Sequence, residues 1–159
     1  MAQWNSCPFA LAHHYDTAGL HTAWAQLHAG DALPWPSDPA VQAAWVLFHN
    51  GQFEQAVQAG LLAGSAGLNV ANRATAVYAN YLETGEKQRL ELYWQVAQRA
   101  AAQAQAEPDN ASAWYWQANA LGRYSQGISV AKALAQGLGS KVKTALERTI
   151  ALAHGSYTH

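Results

Sequence analysis

The chain has 159 residues, 50% of them hydrophobic, which is enough to fill a core and too many for a disordered segment. Only 12% are charged while seven Trp and seven Tyr are present, so neutral polar and small residues cover the surface or are buried against something else. Nine Lys and Arg against ten Asp and Glu leave a formal charge of -1, with no basic footprint for nucleic acid or acidic lipid.

From the N-terminus, Met1 to His14 has neither the basic start nor the apolar run of a secretory signal, and Trp4-Asn5-Ser6 ahead of Cys7 is not the apolar run of a lipoprotein signal. Cys7 is the single cysteine, which excludes an intrachain disulfide and fits a reducing compartment. Asp16-Thr17 opens a helix whose Leu20, Trp24 and Leu27 form one stripe and which Gly30 closes. Leu33 to Pro39 is a stiff connector. Ser37 or Asp38 is placed to accept from the free N–H groups of the next helix, with Pro39 in its first turn, and that helix runs to about Asn50. Asn50-Gly51 is a tight break. A short helix follows from about Phe53 to Ala63, and Gly64-Ser65-Ala66-Gly67 turns the chain. The longest apolar stretch, Leu61 to Val70, is broken by Gly, Ser and Asn well short of the roughly 18 residues a membrane span needs.

Leu68 to Glu83 reads as helix, Thr84-Gly85 as a turn, and Lys87 to about Glu107 as the longest helix, stopped by Pro108. Asp109 or Asn110 caps the next, Ala111 to about Tyr124. Gly127 interrupts, Ser129 to Gln136 is a short helical stretch, and Gly137-Leu138-Gly139 leads into Ser140 as the cap of a final helix to about Leu152. Apolar residues recur at three and four, and strictly alternating β-branched runs are missing, so the predicted class is all-α. The expected setting is a soluble cytoplasmic protein with no membrane and no nucleic-acid partner.

Helix pairs joined by short turns suggest a repeat. With Gly51 as the turn of a hairpin, Ala44 and Ala56 take the small sites where the two helices cross, Leu47 joins the stripe and Phe53 takes the aromatic site. With Gly85 as the turn, Tyr78 and Leu90 stand where small residues are expected, so the middle hairpin is aberrant. In the third, Trp114, Ala118 and Leu121 repeat the aromatic, small and aliphatic order, and Ala145 fills the second small site after roughly fifteen extra residues, Gln126 to Ser140. On these residues the chain resembles the tetratricopeptide-repeat superfamily over about Ser37 to Leu152. The stretch Trp114-Tyr115-Trp116-Gln117-Ala118-Asn119-Ala120-Leu121-Gly122-Arg123-Tyr124-Ser125-Gln126-Gly127, continuing through Ala133-Leu134 to Lys141-Val142-Lys143 and Leu146-Glu147, is similar to the repeat domain of the regulator of microtubule dynamics family. Its bacterial relatives include cytoplasmic repeat proteins and a lipoprotein T component of tripartite transporters. This chain departs from them in lacking a lipoprotein signal, and its tail Ala153 to His159 stands where relatives begin another repeat.

The resemblance implies a right-handed superhelix of antiparallel helix hairpins, about seven to nine helices, with an inserted short helix in the third hairpin. It also implies one repeat domain over 1–159: an N-terminal helix and Pro-rich connector (1–36), three hairpins (37–152) and a tail (153–159). Ligands of such a groove meet the first helix of each unit, which points to Val41, Trp45, Phe48 and His49 in the first hairpin and Tyr115, Asn119, Gly122 and Arg123 in the third. Gly122 lets a ligand backbone approach closely, Asn119 offers a donor and an acceptor, and Arg123 a planar fork suited to a carboxylate. Plain structural roles compete with these: an Arg123–Glu147 ion pair, Asn119 tying hairpins together, and Trp45, Phe48, Trp114 and Trp116 as repeat core.

Three other patterns bear on possible chemistry. His14, His21 and His28 recur every seven residues, a rise of about 10.5 Å, too long for one ion, and the better spaced His28/Asp31 pair needs two further ligands. No metal and no cofactor is expected. Ser129-Val130-Ala131-Lys132 fits Ser-x-x-Lys without the supporting elements of the penicillin-recognising enzymes. Gly137-Leu138-Gly139-Ser140-Lys141 lacks the spacing and the strand of a phosphate loop, leaving a plain helix cap or, with Lys141 and Lys143, an anion site on free N–H groups.

The function expected is a non-catalytic binding or adaptor module that takes a peptide or partner protein through its concave face, using Trp45, Phe48, His49, Tyr115, Asn119, Gly122, Arg123 and Lys141. The alternatives are a self-assembling homo-oligomeric repeat protein and, behind it, a small-molecule carrier or enzyme.

Overall fold

In the computed structural model, which describes residues 4–9 and 12–153, the regular elements are all helical, as the sequence predicts. They are α1 (Thr17–Leu27), α2 (Pro39–His49), α3 (Phe53–Leu62), a 3-10 turn (Gly64–Gly67), α4 (Leu68–Tyr81), α5 (Glu86–Ala106), α6 (Ala111–Gln126), α7 (Val130–Ala135) and α8 (Leu138–Ala153). The readings of the tail beyond Ala153, and of Met1–Gln3 and residues 10–11 within the N-terminal stretch, lie outside the described residues.

Local chemistry sets most helix starts. The Asp16 carboxylate accepts from the Gly19 amide at 2.7 Å, and Asp38 from the Ala40 amide at 2.8 Å with Pro39 in the first turn, where a missing N–H costs nothing. Asn110 caps α6 through the Ala113 amide at 3.2 Å, and Ser129 caps α7 through the Lys132 amide at 3.2 Å. In the Ser-x-x-Lys stretch, then, the Ser129 hydroxyl is a cap, while the Lys132 ammonium lies over the Tyr124 ring at 6.0 Å. The expected start of the last helix at Ser140 needs correction. Gly137 takes a φ of 62°, open to glycine, and Leu138, 1% exposed, already begins the helix because its side chain is buried in the core. Ser140 therefore lies inside the first turn.

The chain divides into two compact units within α4, after Ala74. In the first, α2 and α3 pack along each other as a hairpin closed by Gly51 at φ 72°, and α1 packs on α2. Leu20, Trp24, Val41, Ala44, Trp45 and Val70 form its core. The Pro-rich connector is held by Trp24 Nε1 donating to the Leu33 carbonyl at 2.6 Å and Gln42 Nε2 to the Pro36 carbonyl at 2.7 Å. Asn50 exchanges two hydrogen bonds with the Tyr15 backbone, accepting from its amide at 2.9 Å and donating to its carbonyl at 2.8 Å, which fixes the segment ahead of α1.

Two glycines let α3 and the 3-10 turn touch backbone to backbone. A methyl on Gly60 would lie 2.7 Å from the Gly67 carbonyl oxygen, and one on Gly67 would overlap the Gly60 carbonyl. Since neither partner is a movable side chain, Gly67→Ala should destabilise the first unit by about 3 kcal/mol. Gly139→Ala, whose methyl meets nothing within 4 Å in α8, should be neutral or stabilising by about 0.5 kcal/mol. Urea unfolding of the two variants reads the contrast directly.

In the second unit, α5 packs along α6, α6 along α8, and the short α7 rests on α8. Val96, Ala100, Trp116, Ala120, Leu121 and Leu138 centre the core. The small sites Ala44 and Ala56 in the first unit and Ala118 and Ala145 in the second are all buried, whereas the middle hairpin buries Tyr78 at the corresponding place.

Candidate functional site

Tyr115, Asn119 and Arg123 sit on successive turns of α6, and Gly122 shares their stretch of the helix. They border clefts in the second unit that share lining residues. One of about 190 Å³ runs between Tyr115, Asn119 and Arg123 on α6, Asn80 and Tyr81 on α4, and Tyr93 on α5. A second, of about 250 Å³, is bordered by the same three residues of α6 together with Gly122, Gln126 and Leu146. A third, also of about 250 Å³, is bordered by Asn80, Glu86, Arg89, Tyr93 and Arg123. Arg123 is common to all three, and Tyr115 and Asn119 to two.

The polar lining has a definite arrangement. The Tyr93 hydroxyl donates to Asn80 Oδ1 at 3.3 Å. Burial pushes the Tyr93 phenol above its usual pKa, against the opposing pull of Arg123 and Arg89, so it stays a neutral donor at physiological pH. Arg123 has no carboxylate partner among the described residues. Glu147, the acid that the sequence offered it, lies instead 3.9 Å from the Lys143 ammonium. A methyl added at Gly122 would meet nothing within 4 Å, so that stretch of α6 is open.

The remaining expected site residues are placed differently. Trp45, Phe48 and His49 belong to the first unit. Trp45 is 2% exposed and takes the core role, with its ring edge-on to Trp24 at 5.4 Å and to Phe48 at 5.4 Å, which leaves it no face for a ligand. Lys141 is exposed on α8 and borders none of the three clefts.

His49 is turned toward a cluster that the sequence showed only in part. His28, 2% exposed, stacks on Trp24 with ring centres 3.8 Å apart and directs Nδ1 at Asp31, 3.1 Å from one carboxylate oxygen and 3.2 Å from the other. Arg73 Nη1 donates to Asp31 Oδ2 at 2.6 Å, with its guanidinium over the Trp45 and Phe48 rings. The Nε2 atoms of His28 and His49 are 3.2 Å apart, a hydrogen bond that holds one proton between the two rings. Burial, with the nearby charges of His28 and Arg73, lowers the His49 pKa to about 4, so His49 is neutral at pH 7. Among the described residues no group of three or more His, Cys, Asp or Glu side chains is arranged to hold a metal ion. No described helix is long and apolar enough to cross a membrane.

Sequence reasoning named Tyr115, Asn119, Gly122 and Arg123 but missed Asn80, Arg89 and Tyr93. Those three come from the middle hairpin, where Tyr78 and Leu90 break the repeat pattern and hide which residues share a face. The chain matches no protein-family model, no curated protein and no solved structure.

Proposed function

We propose that this chain is a non-catalytic helical-repeat module of tetratricopeptide type, a right-handed stack of hairpins that takes a peptide or a segment of a partner protein along α6 of the second unit. One observation carries the reading: Tyr115, Asn119 and Arg123 border the same two clefts, and Arg123 has no carboxylate partner among the described residues. The buried small residues Ala44, Ala56, Ala118 and Ala145 support the hairpin part of the proposal, because close helix crossings need small side chains there. Asn119 and Arg123 give directed hydrogen bonds and Tyr115 an amphipathic wall, the mixture that peptide grooves use.

The test uses a peptide selected against the wild-type protein from a display library. Asn119→Ala combined with Arg123→Ala should weaken its binding by about tenfold or more, with the helical circular dichroism and the melting temperature unchanged. Gly122→Ala should raise helix stability by up to about 1 kcal/mol and still weaken the same peptide, since the added methyl stands where only a ligand would meet it. Full affinity in the double variant would remove α6 as the binding face.

A further inference from the structure

The cleft bordered by Arg89 and Arg123 has features that peptide binding in general does not demand. Arg89, in the first turn of α5, has a buried Nε with no hydrogen-bond partner among the described residues. A buried, unsatisfied guanidinium N–H is costly, and such atoms are rare unless something outside the chain completes them. Arg123 approaches the same cleft from α6, also without a carboxylate among the described residues. Arg89, Arg123 and Tyr93 all border this one cleft, so two guanidinium groups and a phenol converge on a single space. Burial keeps Tyr93 protonated, and its one O–H, given to Asn80 Oδ1 at a long 3.3 Å, is the proton that a bound anion would draw away from Asn80. The one acid at the cleft is Glu86, exposed at the start of α5 and not ion-paired with either arginine.

From this convergence we infer that Arg89, Arg123 and Tyr93 form a carboxylate-binding subsite, which rests on the reading of the second unit as a peptide-binding module and assigns the anionic group of its ligand. The charge balance favours a monoanion. Two guanidinium groups against Glu86 leave one surplus positive charge, which a single carboxylate neutralises, while a phosphate dianion would bring excess negative charge next to Glu86. A planar carboxylate also matches the fork of a guanidinium better than a point charge does. The carboxylate is supplied either by a chain terminus or by an Asp or Glu side chain.

The test follows the Arg89 Nε–Hε resonance in the ¹⁵N-labelled 159-residue chain, assigned with Arg89→Gln, at constant ionic strength. N-acetylglycine carries a terminal carboxylate, N-acetylglutamic acid α-amide a side-chain carboxylate, N-acetylglycinamide none, and inorganic phosphate provides the dianion. One or both carboxylates should shift the resonance saturably, and whichever binds more tightly names the source. Tyr93→Phe should weaken that binding by about threefold to tenfold with the fold retained. An equal response to N-acetylglycinamide, no saturable response to either carboxylate, or tighter binding of phosphate than of both would overturn the assignment. The two levels separate cleanly. A selected peptide that binds wild type and Arg89→Gln equally, yet is lost in the Asn119/Arg123 double variant, sinks the subsite and keeps the module. Saturable carboxylate binding at Arg89 in a protein whose double variant still holds the peptide does the reverse.

Discussion

Asp31→Ala is expected to lower the stability of the first unit by about 2–3 kcal/mol, less than the loss of one partner of a fully buried ion pair, because the Arg73 and Asp31 side chains stay 27% and 13% exposed. The carboxylate has two jobs that no neighbour can take over. It accepts from Arg73 Nη1 at 2.6 Å and from His28 Nδ1 at 3.1 Å; His28 is buried against Trp24, and Arg73, partly exposed, lies over Trp45 and Phe48. After truncation the Arg73 guanidinium, still over Trp45 and Phe48, keeps its charge without a counterion, and the buried His28 N–H loses its acceptor. Asp31→Asn, which keeps an acceptor oxygen and removes the charge, should fall about midway. Urea unfolding followed by tryptophan fluorescence measures both, because Trp24 and Trp45 line the cluster. An Asp31→Ala protein within 1 kcal/mol of wild type would mean that the network contributes little. Combining Asp31→Leu with Arg73→Met should recover part of the loss, since no charge is then left without a counterion, while the buried His28 N–H still lacks its acceptor.

What could be read from the sequence divides along the distance over which the cause acts. The start of α2 was legible because Asp38 and Pro39 act within one turn, and the stop of α5 because Pro108 does. The start of α8 was not. Ser140 is a better cap than anything before it, but the burial of Leu138 decides the boundary, and burial is a tertiary property. His28 and Asp31 could be paired from their spacing, whereas His49 and Arg73 join them only through folding, 21 and 42 residues away from their partners. Trp45 met both a core and a groove pattern, since period alone says that a face is apolar and not what covers it. In the second unit, α6 gave Tyr115, Asn119 and Arg123 by simple helical spacing. Arg89 has no such marker, because its importance lies in an unsatisfied buried N–H that only the neighbouring side chains define.

Lowering the pH from 7 to 4 should remove about 3 kcal/mol of stability through His49 alone. Its pKa in the folded protein is about 4 against an ordinary value of 6.5, with burial the main cause and the charges of His28 and Arg73 adding to it against the opposing effect of Asp31. Above pH 6.5 neither the folded nor the unfolded state binds the proton, and the full stability is present. Between 6.5 and about 4 the unfolded chain takes up the proton and the folded one does not, so stability falls by up to about 1.4 kcal/mol per pH unit. Below about 4 both states are protonated and this contribution levels off. Asp31 acts later and separately. Burial raises its pKa, but the His28 hydrogen bond and the charges of His28 and Arg73 outweigh that and hold it below 3.8, so its contribution persists until the pH falls below the ordinary carboxylate value. His49→Gln keeps an N–H donor near His28 Nε2 without a titrating ring. Unfolding free energies measured at half-unit steps should therefore show a shallower slope for His49→Gln between pH 6.5 and 4, and parallel curves below. Identical slopes for the two proteins across that window would show that His49 is protonated as easily in the folded state as in the unfolded one, and that the hydrogen bond between the two imidazoles does not exclude the second proton.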